Sequence, residues 1–220
     1  MRSVIFDLDG TLADTSGDLL AAANACFVGL GLGELLTGAD AGTALRGGRA
    51  MLRLGFSRVE GFGEAEVDAQ YPKLLVHYEG AIDVHTRLYP GAMEAVEALR
   101  ALGDAVAICT NKPEGLAEQL MRSLGVREAF GALVGADSTP TPKPNPVPYF
   151  EAVRRLGGDP ALSLLVGDSM TDERTARAAG VPSVSVSFSP DLASREEMAP
   201  DAWLSDYREL PAIVERLIPL

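Results

Sequence analysis

Short apolar runs alternate along this chain with longer stretches in which apolar side chains recur every three or four positions. Ser3-Val4-Ile5-Phe6, Ala105 to Cys109, the stretch around Leu133 and Leu162 to Val166 are nearly uninterrupted apolar runs of strand length, the pattern of strands buried on both faces. Helical spacing predicts helices over 92–102, 114–124, 146–156 and 171–179, and a further strand over 181–186. A weaker strand near Trp203 and a helix over 206–218 close the pattern. Repeated strand–helix units call for parallel strands joined by right-handed crossovers, so the expected fold is α/β, a doubly wound parallel sheet. Residues 16–81 interrupt it with three helical patterns, over 18–30, 43–54 and 64–78, and hardly any strand signal. That block is expected to be a small inserted helical domain, with residues 1–15 and 82–220 forming the core.

The polar residues that follow these strands carry the candidate chemistry. Asp7 and Asp9 close the first strand; in extended backbone residues i and i+2 point to the same side, so the two carboxylates share a pocket while Leu8 turns back to the core. Close carboxylates repel, and one tends to hold a proton. An ionised Asp7 can attack phosphorus or bind a metal, and a protonated Asp9 can donate to a leaving group. Thr110-Asn111-Lys112 follows the second strand, Asp168 to Asp172 follows the strand ending at Val166, and a Pro-rich loop over 140–148 contains Lys143. All lie at carboxyl ends of strands, the edge at which open parallel sheets bind ligands.

Taken in order, FDLDGTLAD, CTNKP, TPKPNPVP and GDSMTD resemble the conserved segments of the haloacid dehalogenase superfamily of phosphatases, over residues 3 to about 186. The Thr-Asn-Lys-Pro and Lys-Pro-x-Pro-x-Pro runs resemble its phosphoglycolate phosphatase group most; Arg46-Gly47-Gly48 stands where that group's cap usually reads Ile-Gly-Asn-Gly. The resemblance implies a core of Rossmann-like topology with an inserted cap. It implies Asp7 as a nucleophile that takes up the phosphoryl group and Asp9 as general acid and base. Thr110 and Lys143 would hold the phosphoryl oxygens, with Asn111 adding its backbone N–H or side chain at a helix start. Carboxylates of Asp7 and Asp168 with the main-chain carbonyl of Asp9 make an oxygen-only site suited to Mg2+, and Asp172 would orient metal waters or Lys143. Arg46, Arg49 and Arg53 are spaced to share a face of the second inserted helix; Arg46 and Arg49 are candidates for the carboxylate of a small acidic substrate such as 2-phosphoglycolate. Phosphatases of other specificity (sugar phosphate, pyrophosphate or nucleotide), a sugar phosphomutase and a non-catalytic phosphate-binding module are the alternatives. A dehalogenase would lack Asp9.

Composition narrows the partners. At 220 residues the chain can build a full core. A net charge of −12 disfavours nucleic acid or an anionic membrane as partner. Two cysteines only, Cys26 and Cys109, and a first strand that begins at residue 3 point to a cytoplasmic protein without a signal peptide or a membrane span, acting as a monomer or homodimer on a small phosphorylated substrate. Lys112 is expected to be solvent-facing or structural, and Trp203 to anchor the last strand in the core.

Overall fold

The computed structural model describes residues 1–191 and 197–220. Its strands are β1 (Ser3–Phe6), β2 (Ala13–Asp14), β3 (Arg87–Leu88), β4 (Ala105–Cys109), β5 (Ala132–Val134), β6 (Ser163–Gly167), β7 (Ser183–Val186) and β8 (Ala202–Leu204). The helices are α1 (Ser16–Gly29), α2 (Ala41–Ala44), α3 (Gly48–Phe56), α4 (Glu64–Gly80), α5 (Ala92–Ala101), α6 (Glu114–Ser123), α7 (Val147–Arg155), α8 (Met170–Ala179) and α9 (Leu210–Leu217). Six strands form one sheet in the order β5-β4-β1-β6-β7-β8, and β2 pairs with β3 separately. Every pairing in the large sheet is parallel, as the strand–helix alternation requires.

By contact the chain divides into two compact units, Met1–Ala13 with Leu88–Leu220, and Asp14–Arg87. In the first, alternate residues of neighbouring strands, among them Ile5, Ala107, Cys109, Val134 and Leu165, pack with Tyr149, Ala152 and Val153 of α7 and Ala176 of α8. All four residues of β1 are buried, which is why its sequence lacks a polar alternation. Phe6 pairs with Ile108 on one side and Val166 on the other. This register lets β1, β4 and β6 release their next residues at one level, so Asp7 leaves the sheet beside the ends of β4 and β6.

The second unit is a helical bundle. The rings of Phe27 and Phe56 meet edge to face at 5.2 Å, and Phe56 stacks on Phe62 at 5.1 Å. Gly55 is required at that contact, because a Cβ there would lie 2.1 Å from the Phe27 ring. Asp18, buried in the first turn of α1, accepts hydrogen bonds from the backbone N–H groups of His85 and Thr86 and from the Thr86 hydroxyl. A helix N-terminus favours a carboxylate, and here the same group also ties down the returning chain.

Two expectations need correction. The single helix expected over 43–54 is broken: α2 ends at Ala44 and α3 begins at Gly48, with Gly47 between them at φ 95°. That left-handed backbone ends a helix and suits glycine, so Arg46 lies in the break and does not share a helical face with Arg49 and Arg53. Trp203 is 39% exposed; in β8 the residues that face inward are Ala202 and Leu204, and the alternation of a strand sends Trp203 to the other side. Among the described residues no helix is long and apolar enough to cross a membrane.

Candidate active site

The site is assembled at the carboxyl ends of β1, β4 and β6. Past β1, the Asp7 N–H continues the ladder to the carbonyl of Val166 at 2.8 Å, which fixes the Asp7 backbone against β6. The chain then turns tightly: Gly10 has φ 81°, and the N–H groups of Leu12 and Ala13 return to the carbonyl of Leu8. Leu8 is wholly buried, leaving Asp7 and Asp9 on the site side.

Asp7 and Lys143 form the centre. Lys143 Nζ lies 3.0 Å from Asp7 Oδ1 and 2.6 Å from Asp172 Oδ1. The Asp7 oxygen is close enough for strong Coulombic attraction, yet it is not aligned for a hydrogen bond and accepts none. A buried carboxylate oxygen without a donor is costly and is available to an electrophile or a cation. Burial first, and then the charge of Asp172, push the Asp7 carboxyl up to about 7, against the pull of Lys143. Asp168 is likewise held well above the ordinary carboxylate range by burial, Asp172 and Asp7. Burial works against the Lys143 ammonium, but Asp172 and Asp7 outweigh it and hold its pKa above that of a free lysine.

Around this pair each side chain has a fixed support. Asp172 closes a capping box at the start of α8: its Oδ2 accepts from the N–H and hydroxyl of Ser169, while Oδ1 takes Lys143. One carboxylate thus both caps α8 and pairs with Lys143. Gly167, the last residue of β6, leaves room for it, since a Cβ there would lie 2.4 Å from Asp172. Asn111 clamps the main chain of Lys143 at two points, Nδ2 donating to its carbonyl at 2.9 Å and Oδ1 accepting from its N–H at 3.0 Å. Asn111 does not stand at a helix start, because Pro113 intervenes and α6 begins at Glu114. Thr110 is buried, with its backbone N–H on Val134 and its hydroxyl accepting from the N–H of Lys112.

Two residues enter that sequence reasoning did not place. Lys112, expected to be solvent-facing or structural, is not solvent-facing: its side chain is 4% exposed and Nζ lies 2.9 Å from Asp9 Oδ1. A buried ammonium needs an anion nearby, and β4 runs beside β1, whose following turn supplies one. Ser189, just past β7, donates to Asp168 Oδ2 at 2.7 Å, while Thr11 donates to Oδ1 at 3.3 Å. The only signal for Ser189 was its place after a strand on the same sheet edge. The inserted arginines are occupied differently: Arg49 pairs with Asp68 and lies 4.5 Å over the ring of Tyr71, and Arg53 grips Glu64.

Asp7, Asp168 and Asp172 each offer an oxygen within 4.8 Å of the others. Three carboxylates with an undonated oxygen on Asp7 fit a hard divalent cation and lack the nitrogen or sulfur donors that zinc sites use. Asp172 Oδ1 is held by the Lys143 ammonium, a charge that competes with a cation for it, whereas the Asp168 oxygens accept only from hydroxyl groups, which leaves Asp7 and Asp168 as the better candidates for direct ligands.

Comparison with known proteins identifies the family. A haloacid dehalogenase-like hydrolase profile matches residues 1–180. A protein of Mesorhizobium japonicum named phosphoglycolate phosphatase is 38% identical over 98% of this chain and 96% of its own, and one of the same name from Agrobacterium fabrum is 35% identical over 97% and 93%. A crystal structure described as a predicted phosphoglycolate phosphatase from Haemophilus somnus superposes with TM-score 0.85 at 26% identity, covering 97% of both chains. The chain belongs to the haloacid dehalogenase-like hydrolases and within them resembles the phosphoglycolate phosphatases.

Proposed function

We propose that the protein is a Mg2+-dependent phosphomonoester hydrolase that works through an aspartyl-phosphate on Asp7, with 2-phosphoglycolate or a similar small phosphorylated acid as substrate. The observation that carries the reading is the Asp7 oxygen, buried and undonated, 3.0 Å from the ammonium of Lys143.

In this reading an Asp7 oxygen forms a bond to phosphorus as the ester P–O bond breaks, and the departing oxygen takes the proton of Asp9. Water then attacks the phosphoryl-aspartate, gives a proton to Asp9, and inorganic phosphate leaves with Asp7 restored. Splitting the displacement this way replaces one difficult step with two easier ones. Lys143 and the Thr110 hydroxyl balance the charge spread over the phosphoryl oxygens. Asp7, Asp168 and the Asp9 carbonyl would hold Mg2+, which when bound neutralises carboxylate and phosphoryl charge. Asp172 keeps Lys143 aimed, and the Thr11 and Ser189 hydroxyls keep Asp168 aimed. The substrate's own carboxylate is assigned to Arg46 and Arg49 of the helical unit, where Arg49 would exchange Asp68 for it. Cys26 and Cys109, both buried and unpaired, suit the reducing interior of a cell.

The test is phosphate release from a panel of phosphomonoesters, 2-phosphoglycolate among them, by wild type and Asp7→Asn, with Mg2+ and with a chelator. Cation-dependent turnover that favours 2-phosphoglycolate and falls at least ~10^4-fold in the variant is expected. Turnover that survives in Asp7→Asn would remove Asp7 as nucleophile; another preferred ester would keep the mechanism and replace the substrate.

A further inference from the structure

The site holds two buried lysines, and they serve different carboxylates. Lys143 faces Asp7 and Asp172, whereas Lys112 faces Asp9 at 2.9 Å. Only the first belongs to the phosphoryl-holding set of the proposed mechanism. The backbone of Lys112 is fixed on both sides of its Cα: its N–H donates to the Thr110 hydroxyl at 3.2 Å, and its carbonyl accepts from the N–H of Ala136 at 3.0 Å. Its ammonium is therefore presented from a rigid support next to β4. Asp9 lies on the turn after β1, bridged through its backbone to Ala13, with a side chain 15% exposed.

An acid–base group works only when its oxygen stays within hydrogen-bond reach of the departing oxygen, and a displacement of about 1 Å can cost roughly 10^2-fold in rate. A carboxyl group on a turn at the sheet edge has other rotamers open to it, and a buried ammonium held against its Oδ1, which leaves Oδ2 to carry the proton, removes them. We infer that Lys112 is a positioning residue for Asp9, fixing the carboxyl that protonates the leaving group while Lys143 fixes the nucleophile. This rests on the acid–base role proposed for Asp9, and it gives the Thr-Asn-Lys run a further task beside those of Thr110 and Asn111.

Leaving-group dependence separates this role from general support. Proton donation matters for an alkyl ester, whose alkoxide leaves poorly, and hardly at all for p-nitrophenyl phosphate, whose phenolate leaves unaided. kcat/KM reports phosphoryl transfer without the later hydrolysis of the intermediate. It is to be measured with Mg2+ for the best alkyl ester of the panel and for p-nitrophenyl phosphate, in wild type, Asp9→Asn, Lys112→Met, Lys112→Arg and the Asp9→Asn/Lys112→Met double variant.

The expected result for Lys112→Met is a loss of about 100-fold on the alkyl ester and only a few-fold on the aryl ester. Lys112→Arg should recover most of the loss, and the double variant should be no worse than Asp9→Asn. Retained aryl activity also reports that the fold is intact. Equal losses on both esters, or losses that add in the double variant, would overturn the inference. If Asp9→Asn discriminates between the esters and Lys112→Met does not, Lys112 alone loses its role. If Asp9→Asn treats them alike, the acid role of Asp9 falls and the inference falls with it.

Discussion

Lys143 and Arg49 are both cations beside carboxylates, yet their settings are opposite. Lys143 is 1% exposed between Asp7, just past β1, and Asp172, in the first turn of α8. Arg49 is 44% exposed and its partner Asp68 is 67% exposed, both on adjacent helices of the inserted unit. Water and salt screen the second pair and it fixes two flexible side chains, so its net contribution is small. The first pair has lost its water, and each member depends on the other. Distance alone would rank them together; burial separates a pair whose members depend on each other from one that solvent can replace.

The contrast is sharpest when the cation is deleted. Lys143→Met leaves Asp7, Asp168 and Asp172 facing one another without compensation. It is expected to destabilise the fold by about 3–5 kcal/mol and to lower kcat/KM by roughly 10^2–10^3-fold, read by denaturant unfolding and phosphate release. A Lys143→Met protein of unchanged stability and activity would erase the distinction between the two regions.

Acid titration probes the same cluster from the carboxylate side. Asp7 is pushed up to about 7 and Asp168 is also raised, so without a cation the folded site keeps protons that the unfolded chain releases near pH 4. Stability from this source is complete below about pH 4 and is lost as the pH climbs through about 7. Thermal melts with a chelator should therefore give a lower Tm at pH 7.5 than at pH 5. Mg2+ should raise Tm far more at pH 7.5, where it need not compete with protons. Equal stabilisation by the cation at both pH values would contradict this account.

The smallest effect belongs to the surface. Arg49→Ala should shift Tm by no more than about 1–2 °C, because water takes the place of the guanidinium at the exposed Asp68 and the contact with the Tyr71 ring is the remaining loss. If it also raises KM for 2-phosphoglycolate while sparing an ester without a carboxylate, the substrate role assigned to the arginine gains support; an unchanged KM removes it.

How far the sequence could be read follows the same division. Buried strands announce themselves because a sheet covered on both faces leaves no place for polar alternation; β1, β4 and β6 were legible for that reason, and Asp7, Thr110 and Asp168 came with them as the residues just beyond. Lys112 was not legible. Its exposure is decided by a carboxylate far upstream, and nothing local tells a lysine whether β4 will lie beside β1. Ser189 was hidden by its chemistry, since a serine in a loop is an ordinary turn residue until a neighbouring strand puts Asp168 within reach. The break at Gly47 shows a different failure: amphipathic spacing continued through 43–54, but two consecutive glycines allow a backbone that helical periodicity does not register. Trp203 reversed because size argued for the core while strand alternation argued for the opposite face, and alternation won.

Gly167 has a consequence for how this protein can change over time. It touches neither substrate nor cation in the proposed mechanism, yet a single methyl group there would collide with Asp172 and disturb the seat of Lys143. Drift at that position is therefore closed by steric exclusion, whereas the exposed arginine positions are open to it. A saturation library should show residue 167 as intolerant as the nucleophile, and an engineer altering specificity should leave it untouched.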